Sequence, residues 1–251
     1  MPGRRPPRRT APADGPATKP RPRRWWTLSA ILVLAAAAGL GVVRNAEGTG
    51  PDGAAVPAAS LPLGPPAALG ALRSPGSPGA TGPEGVPVPA GPLLAAPATT
   101  GRPIDGIECS VGEQVRFHIH AHLTVFVDGV AQKVPAAVGI ANPQAQDSAQ
   151  GPFIGSGSCF YWLHTHAADG IIHVESPAAA TYRLGQFFDI WGESLGPDRV
   201  GPATGAVTAF YNGQHWTGSP RDIPLSAHAQ IQLDVGSPLV APESIRFPSG
   251  L

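Results

Sequence analysis

Positions 161–177 read YWLHTHAADGIIHVESP, with three histidines and a glutamate at alternating positions on either side of an Asp-Gly step. Side chains alternate faces along a strand, so His164 and His166 share a face of the first arm, and His173 and Glu175 share a face of the second. A two-residue type I′ turn at Asp169-Gly170 sets His166 opposite His173 and His164 opposite Glu175. Any register whose paired numbers sum to an odd value keeps all four on one face; a slip of one residue separates them. Facing pairs have Cβ atoms about 4.5–5.5 Å apart, close enough for two imidazoles to share an ion.

A second set lies upstream, in QVRFHIHAHLTVFVDGV at positions 114–130. The alternation puts Val115, Phe117, Ile119, Ala121, Leu123, Val125 and Val127 on a core face, with Arg116, His118, His120, His122 and Thr124 opposite. Phe126, Phe160 and Trp162 are in phase with the histidines and suggest an aromatic wall. The candidate metal ligands are therefore His118, His120, His122, His164, His166 and His173. Glu175 is a ligand, an outer partner of a ligand, or the catalytic general base. A lone strand histidine is more often a half-buried polar residue, and three alternating ones can simply be solvated. Two sets in one small domain weigh towards metal. His215 and His228 stand apart and read as structural or surface residues.

Ligand chemistry narrows the ion. The only methionine is Met1, and the two cysteines, Cys109 and Cys159, are expected to form a disulfide in an oxidising compartment. That disfavours a blue-copper centre or a thioether site and leaves a nitrogen or nitrogen-and-carboxylate site suited to zinc or copper. Three function classes stay open. One is a metal-binding module, another a zinc-dependent lyase or hydrolase using metal-bound hydroxide, and the third a structural envelope domain without metal.

The elements that must position these residues occupy only part of the chain. Its 251 residues include 32 glycines and 31 prolines, far above ordinary globular usage. Residues 1–24 hold eight of the 17 basic residues against one acid, a basic cytoplasmic tail. Residues 25–43, WWTLSAILVLAAAAGLGVV, form an uncharged apolar run long enough for a transmembrane helix. The arginines before it place the N-terminus in the cytoplasm and the remainder outside, so the chain reads as a single-pass cell-membrane protein. The run exceeds a signal-peptide core and lacks a clear cleavage site, which favours an uncleaved anchor. The arginines are thereby explained by topology, and no nucleic acid is expected as a partner.

Residues 44–103, rich in Pro, Ala and Gly, lack any sustained period and read as a disordered linker. Residues 104–251 carry six basic residues and 13 acids, a net −7, and form the extracytoplasmic domain. Its expected fold is mainly β (α+β): a small antiparallel sheet or sandwich of hairpins with one short helix. That helix runs through Leu184, Phe187, Phe188 and Trp191, with Thr181 as its cap and Gly192 as its end. Positions 133–140 read as an edge strand interrupted by Pro135, and 142–158 as a polar loop. VTAFYNG at 207–213 echoes LTVFVDG at 123–129. Ala229, Ile231, Leu233 and Val235 form a last core-facing alternation.

The motifs HIHAHL, YWLHTHAADGIIHVESP, LGQFFDIWG and IPLSAHAQIQLDVG together resemble a family of membrane-anchored extracytoplasmic proteins of bacteria and archaea. The resemblance covers residues 104–251 and implies one coherent domain without implying a particular chemistry. Where it implies an aspartate after the His-Thr-His step, this chain has Ala167.

Overall fold

The computed structural model describes residues 60–251; the expected basic tail, membrane span and first part of the linker lie outside the described residues. No helix among the described residues is long and apolar enough to cross a membrane. These residues form a mainly β structure with one α-helix. The principal sheet comprises β1 (Leu63–Gly64), β2 (Phe117–Val127), β3 (Val130–Gln132), β4 (Leu163–His164), β5 (Ile171–Ser176), β6 (Val207–Tyr211), β7 (Gln214–Trp216) and β8 (Ala229–Val235). Its order is β1-β7-β6-β8-β2-β5-β4, with β3 pairing the far half of β2. Every pairing is antiparallel except β2 with β8, which run parallel from Ala121↔Ala229 to Val127↔Val235.

Two turns follow directly from local chemistry. Asp128-Gly129 and Asn212-Gly213 both adopt positive φ, at 49° and 74° and at 49° and 78°, as a type I′ turn requires. They close β2 onto β3 and β6 onto β7 with two-residue loops. The echoed sequences are thus two hairpins of one kind, and they flank β8 on opposite sides.

One face of the sheet packs against α1 (Leu184–Trp191). Ala121, Leu123 and Val125 of β2, Ile172 and Val174 of β5, and Ile231 and Leu233 of β8 join Leu184, Phe187, Phe188 and Trp191 in a continuous core. Burying each large apolar side chain contributes about 1.5–3 kcal/mol. Gly192 ends the helix in the left-handed region, φ 78° and ψ 17°, as expected. The start lies two residues beyond Thr181. Arg183 is the N-cap, and its N–H donates to the Gln186 side chain at 2.9 Å. Val115 also departs from expectation: it precedes β2 and is 59% exposed. Residues 133–139 join no strand, while the expected loop beyond them holds a hairpin, Gln144–Ser148 against Gly151–Ser156.

The opposite face is buried as well, which the polar alternation did not lead us to expect. His120, His122, Thr124 and Phe126 of β2 and Gln232 and Asp234 of β8 are all buried. Polar side chains of β8 take the place of a neighbouring strand for the C-terminal segment. Gln230 exchanges two bonds with the Ile245 backbone, Gln232 accepts from Glu243 N and donates to Val240 O, and Asp234 accepts from Val240 N.

Residues 60–103, expected as disordered linker, form the rest of this cover and also reach the sheet edge and the helix side of the core. β1 pairs with β7, and residues 66–69 form a 3₁₀ turn. Arg73 bridges to Val240, and the 92–94 backbone exchanges hydrogen bonds with Lys133. Val86 and Leu94 are buried, and the Ala96 carbonyl accepts from the Trp191 indole at 3.0 Å. Extended Pro-rich backbone has no internal hydrogen bonds, so its donors and acceptors are free to meet the sheet. Between this cover and the face of β2 lies a cavity of about 580 Å³, lined in part by Arg73, His122, Thr124, Phe126 and Glu243.

Candidate metal centre

The site is built on three adjacent strands with β5 in the middle. His173 lies opposite His120 of β2 on one side and opposite His164 of β4 on the other, while Glu175 lies opposite His118. The pairing of 173 with 164 differs from the expected register by two residues and keeps its odd sum, so the side chains still share a face. Asp169-Gly170 is not a type I′ turn. Gly170 has φ 88°, but Asp169 has no positive φ, and the chain between β4 and β5 is a longer loop. The reason lies elsewhere in the chain. Thr165 is held by residues 135–138, through its backbone and hydroxyl, and His166 O accepts from Ile154 N. Gly170 is needed where it stands, because a Cβ there would strike the Leu123 carbonyl.

On the β2 side, His118 Nε2 lies 3.0 Å from His120 Nε2, which lies 3.1 Å from His173 Nδ1. On the β4 side, His164 Nε2 lies 3.2 Å from His166 Nε2. The His120 and His166 rings each meet the His173 ring edge-on, with centroids 4.5 Å apart. Ligand atoms of His118, His120 and His173 lie within 4.8 Å of one another, as do those of His164, His166 and His173, and those of Glu113, His164 and Glu175. These groups, buried except for His118 and Glu113, could hold a metal ion.

The tautomers on the β4 side follow from the backbone. His164 Nδ1 is 2.8 Å from the Tyr161 carbonyl, and His166 Nδ1 is 2.5 Å from the Ile154 carbonyl. A carbonyl only accepts, so each Nδ1 must carry its proton and donate it. Both Nε2 atoms then turn unprotonated lone pairs towards each other at 3.2 Å. Burial, and then the neighbouring His173, hold both imidazoles below their ordinary pKa, which disfavours relief of this contact by protonation. His120 is likewise pushed down to about 3, by burial and then by His173 and His118.

His173 behaves in the opposite way. Burial lowers its proton affinity, but bonds to Glu175 and Glu84 overcome that cost and raise its pKa to about 9. Its Nε2 lies 2.6 Å from Glu84 Oε1 and its Nδ1 3.5 Å from Glu175 Oε1. Glu84 Oε2, Glu175 Oε2 and Asp169 Oδ2 are buried without hydrogen-bond partners. Burial, and then the Glu84 charge, raises the Asp169 carboxyl to about 8.

Five of the six expected ligands meet here. The exception is His122, whose Nε2 donates to the Asp169 carbonyl at 2.9 Å while its Nδ1 faces Thr124, so it braces the loop and lies outside the three clusters. The aromatic wall is also redrawn. Phe160 packs near His164, and Phe153 stacks on His166 at 4.9 Å, but Trp162 turns to Tyr182, and Phe126 lines the separate cavity. His228 bonds through its ring to the Leu251 carbonyl and through its backbone N–H to the His120 carbonyl, and its ring lies outside the three clusters. Cys109 and Cys159 form the expected disulfide.

No family model, curated protein or solved structure matches the chain. The chemistry must therefore be read from the geometry itself. Two participants, Glu84 and Glu113, were not anticipated. Glu84 is the sole acid between Asp52 and Asp105, an isolated charge in an apolar stretch that could have marked it. Glu113 lies four positions after Cys109, on a segment the disulfide ties to the arm leading into β4, and its Oε1 is 3.5 Å from His166 Nε2.

Proposed function

We propose that this chain is a membrane-anchored, extracytoplasmic metal-binding protein whose strand-borne histidines capture zinc or copper. The observation that carries the reading is the pair of Nε2 lone pairs on His164 and His166, held 3.2 Å apart while both Nδ1 protons are committed to carbonyls. Two such lone pairs repel unless a cation lies between them. Outer partners that fix the tautomer of a ligating imidazole are the usual support of a metal site. Imidazole nitrogen with carboxylate oxygen, and no free thiol or thioether among the described residues, suits Zn(II) or Cu(II).

The protein is expected to retain bound zinc or copper by elemental analysis. Substituting His164→Ala and His166→Ala together should abolish that content while circular dichroism stays β-rich. Unchanged metal content in the double variant would overturn the reading. The anchor rests on the apolar run at 25–43 and the arginines before it, and membership of the family resembled rests on the motifs of residues 104–251. A reporter fused after Leu251 should be active outside the cytoplasm; activity inside would refute the topology.

A further inference from the structure

Glu175 stands between two groups of ligands and offers a different carboxylate oxygen to each. Its Oε1 lies 3.0 Å from His118 Nε2 and 3.5 Å from His173 Nδ1. Its Oε2 lies 3.9 Å from His164 Nε2 and has no hydrogen-bond partner, although the side chain is only 3% exposed. Each group also closes on itself. His118, His120 and His173 form a chain of nitrogens with steps of 3.0 and 3.1 Å. His164 and His166 are 3.2 Å apart, and His166 is 3.5 Å from Glu113 Oε1.

Counting donors decides how many ions this arrangement suits. One group offers His118, His120, His173 and Glu175 Oε1. The other offers His164, His166, Glu113 and Glu175 Oε2. A tetrahedral ion takes four such ligands, and one ion in either group leaves the other group's nitrogens facing one another with nothing between them. We propose that the site holds two divalent cations, one in each group, bridged by the Glu175 carboxylate. This rests on the metal-binding reading above and assigns it a stoichiometry and a bridging residue. Bridged pairs of this kind hold their ions about 3.5–4 Å apart, a spacing that the two oxygens of one carboxylate can span.

Charge and access agree with two ions. Glu84, Glu113 and Glu175 place three carboxylates around the histidines, more than a single divalent ion needs. Each group also has one ligand at the surface: the His118 side chain is 37% exposed and the Glu113 side chain 36%. An ion can therefore reach either group without passing through the other. His173 could instead join His164 and His166, since those three also come within 4.8 Å. A single ion there would leave His118 and His120 without a role.

The test is a count of bound metal. The full chain in detergent, stripped with chelator and equilibrated with zinc, should carry two zinc ions by plasma mass spectrometry. One ion per chain would overturn the bridged pair and leave the metal-binding reading standing; none would overturn both. His118→Ala and Glu113→Gln each alter a half-exposed side chain, so the fold should survive. Each is expected to lower the stoichiometry from two to one, and two tightly held ions in either variant would refute the assignment. With copper in place of zinc, two equivalents should give a magnetically coupled pair with reduced paramagnetic resonance intensity. Full intensity from two independent copper centres would exclude the Glu175 bridge.

Discussion

His173 holds its proton more tightly than a free imidazole does, and so competes directly with any cation at its Nδ1. Its carboxylate partners raise the pKa to about 9, so the ring is charged at neutral pH when no metal is bound. A raised folded-state pKa stabilises the metal-free protein fully below the unfolded value near 6.5, and this contribution fades as pH rises through about 9. The same proton must leave before His173 can ligate. Metal affinity should therefore rise by up to tenfold per pH unit between about 7 and 9. Titration calorimetry at pH 7, in buffers of different ionisation heat, should detect about one proton released as His173 is ligated. An affinity that stays flat from pH 7 to 9 would show that His173 is not displaced. His120 and His164 offer no such competition near neutrality, because their buried rings are already neutral.

At the level of elements, the sequence carried parity better than it carried register. Alternation along β2 and β5 placed His118, His120, His173 and Glu175 on one face, because a strand's side-chain period is fixed by its backbone geometry. The turns at Asp128-Gly129 and Asn212-Gly213 formed as their dipeptides dictate, yet the same Asp-Gly pair at 169–170 did not. The difference is tertiary. Residues 135–138 and 154 claim the backbone groups of Thr165 and His166, and no local pattern announces partners 12 to 30 positions away. His122 stands apart from the clusters for the same reason, since what separates it from His120 is a carbonyl 47 positions downstream. The disulfide was legible from compartment and cysteine count alone, but its consequence was not. Pairing Cys109 with Cys159 holds the Glu113 segment beside the arm that leads to His164 and His166.

On the scale of the whole molecule, the largest surprise is that both faces of the sheet are covered. Composition marked residues 60–103 as linker because proline and glycine break every helical or strand period. An extended segment that packs by backbone hydrogen bonds and scattered apolar contacts leaves no periodic trace. Its few informative residues are Val86, Leu94 and Glu84, two buried aliphatics and a carboxylate on His173. Removing residues 60–103 would expose two aliphatic sites each contributing about 1.5–3 kcal/mol, and would strip the Trp191 indole of its acceptor. A chain beginning at residue 104 is therefore expected to be less stable by at least about 3 kcal/mol than one beginning at residue 60. Above about pH 9, where the His173 proton no longer competes, it should also bind metal more weakly, because His173 loses the carboxylate that orients its Nε2. Urea unfolding of the two chains, each with and without zinc, separates these effects. A lower midpoint without metal reports the lost packing, and a smaller zinc-induced rise in midpoint reports the lost Glu84. Equal midpoints and equal zinc-induced rises would mean that residues 60–103 only trail across the sheet, with the site complete without them.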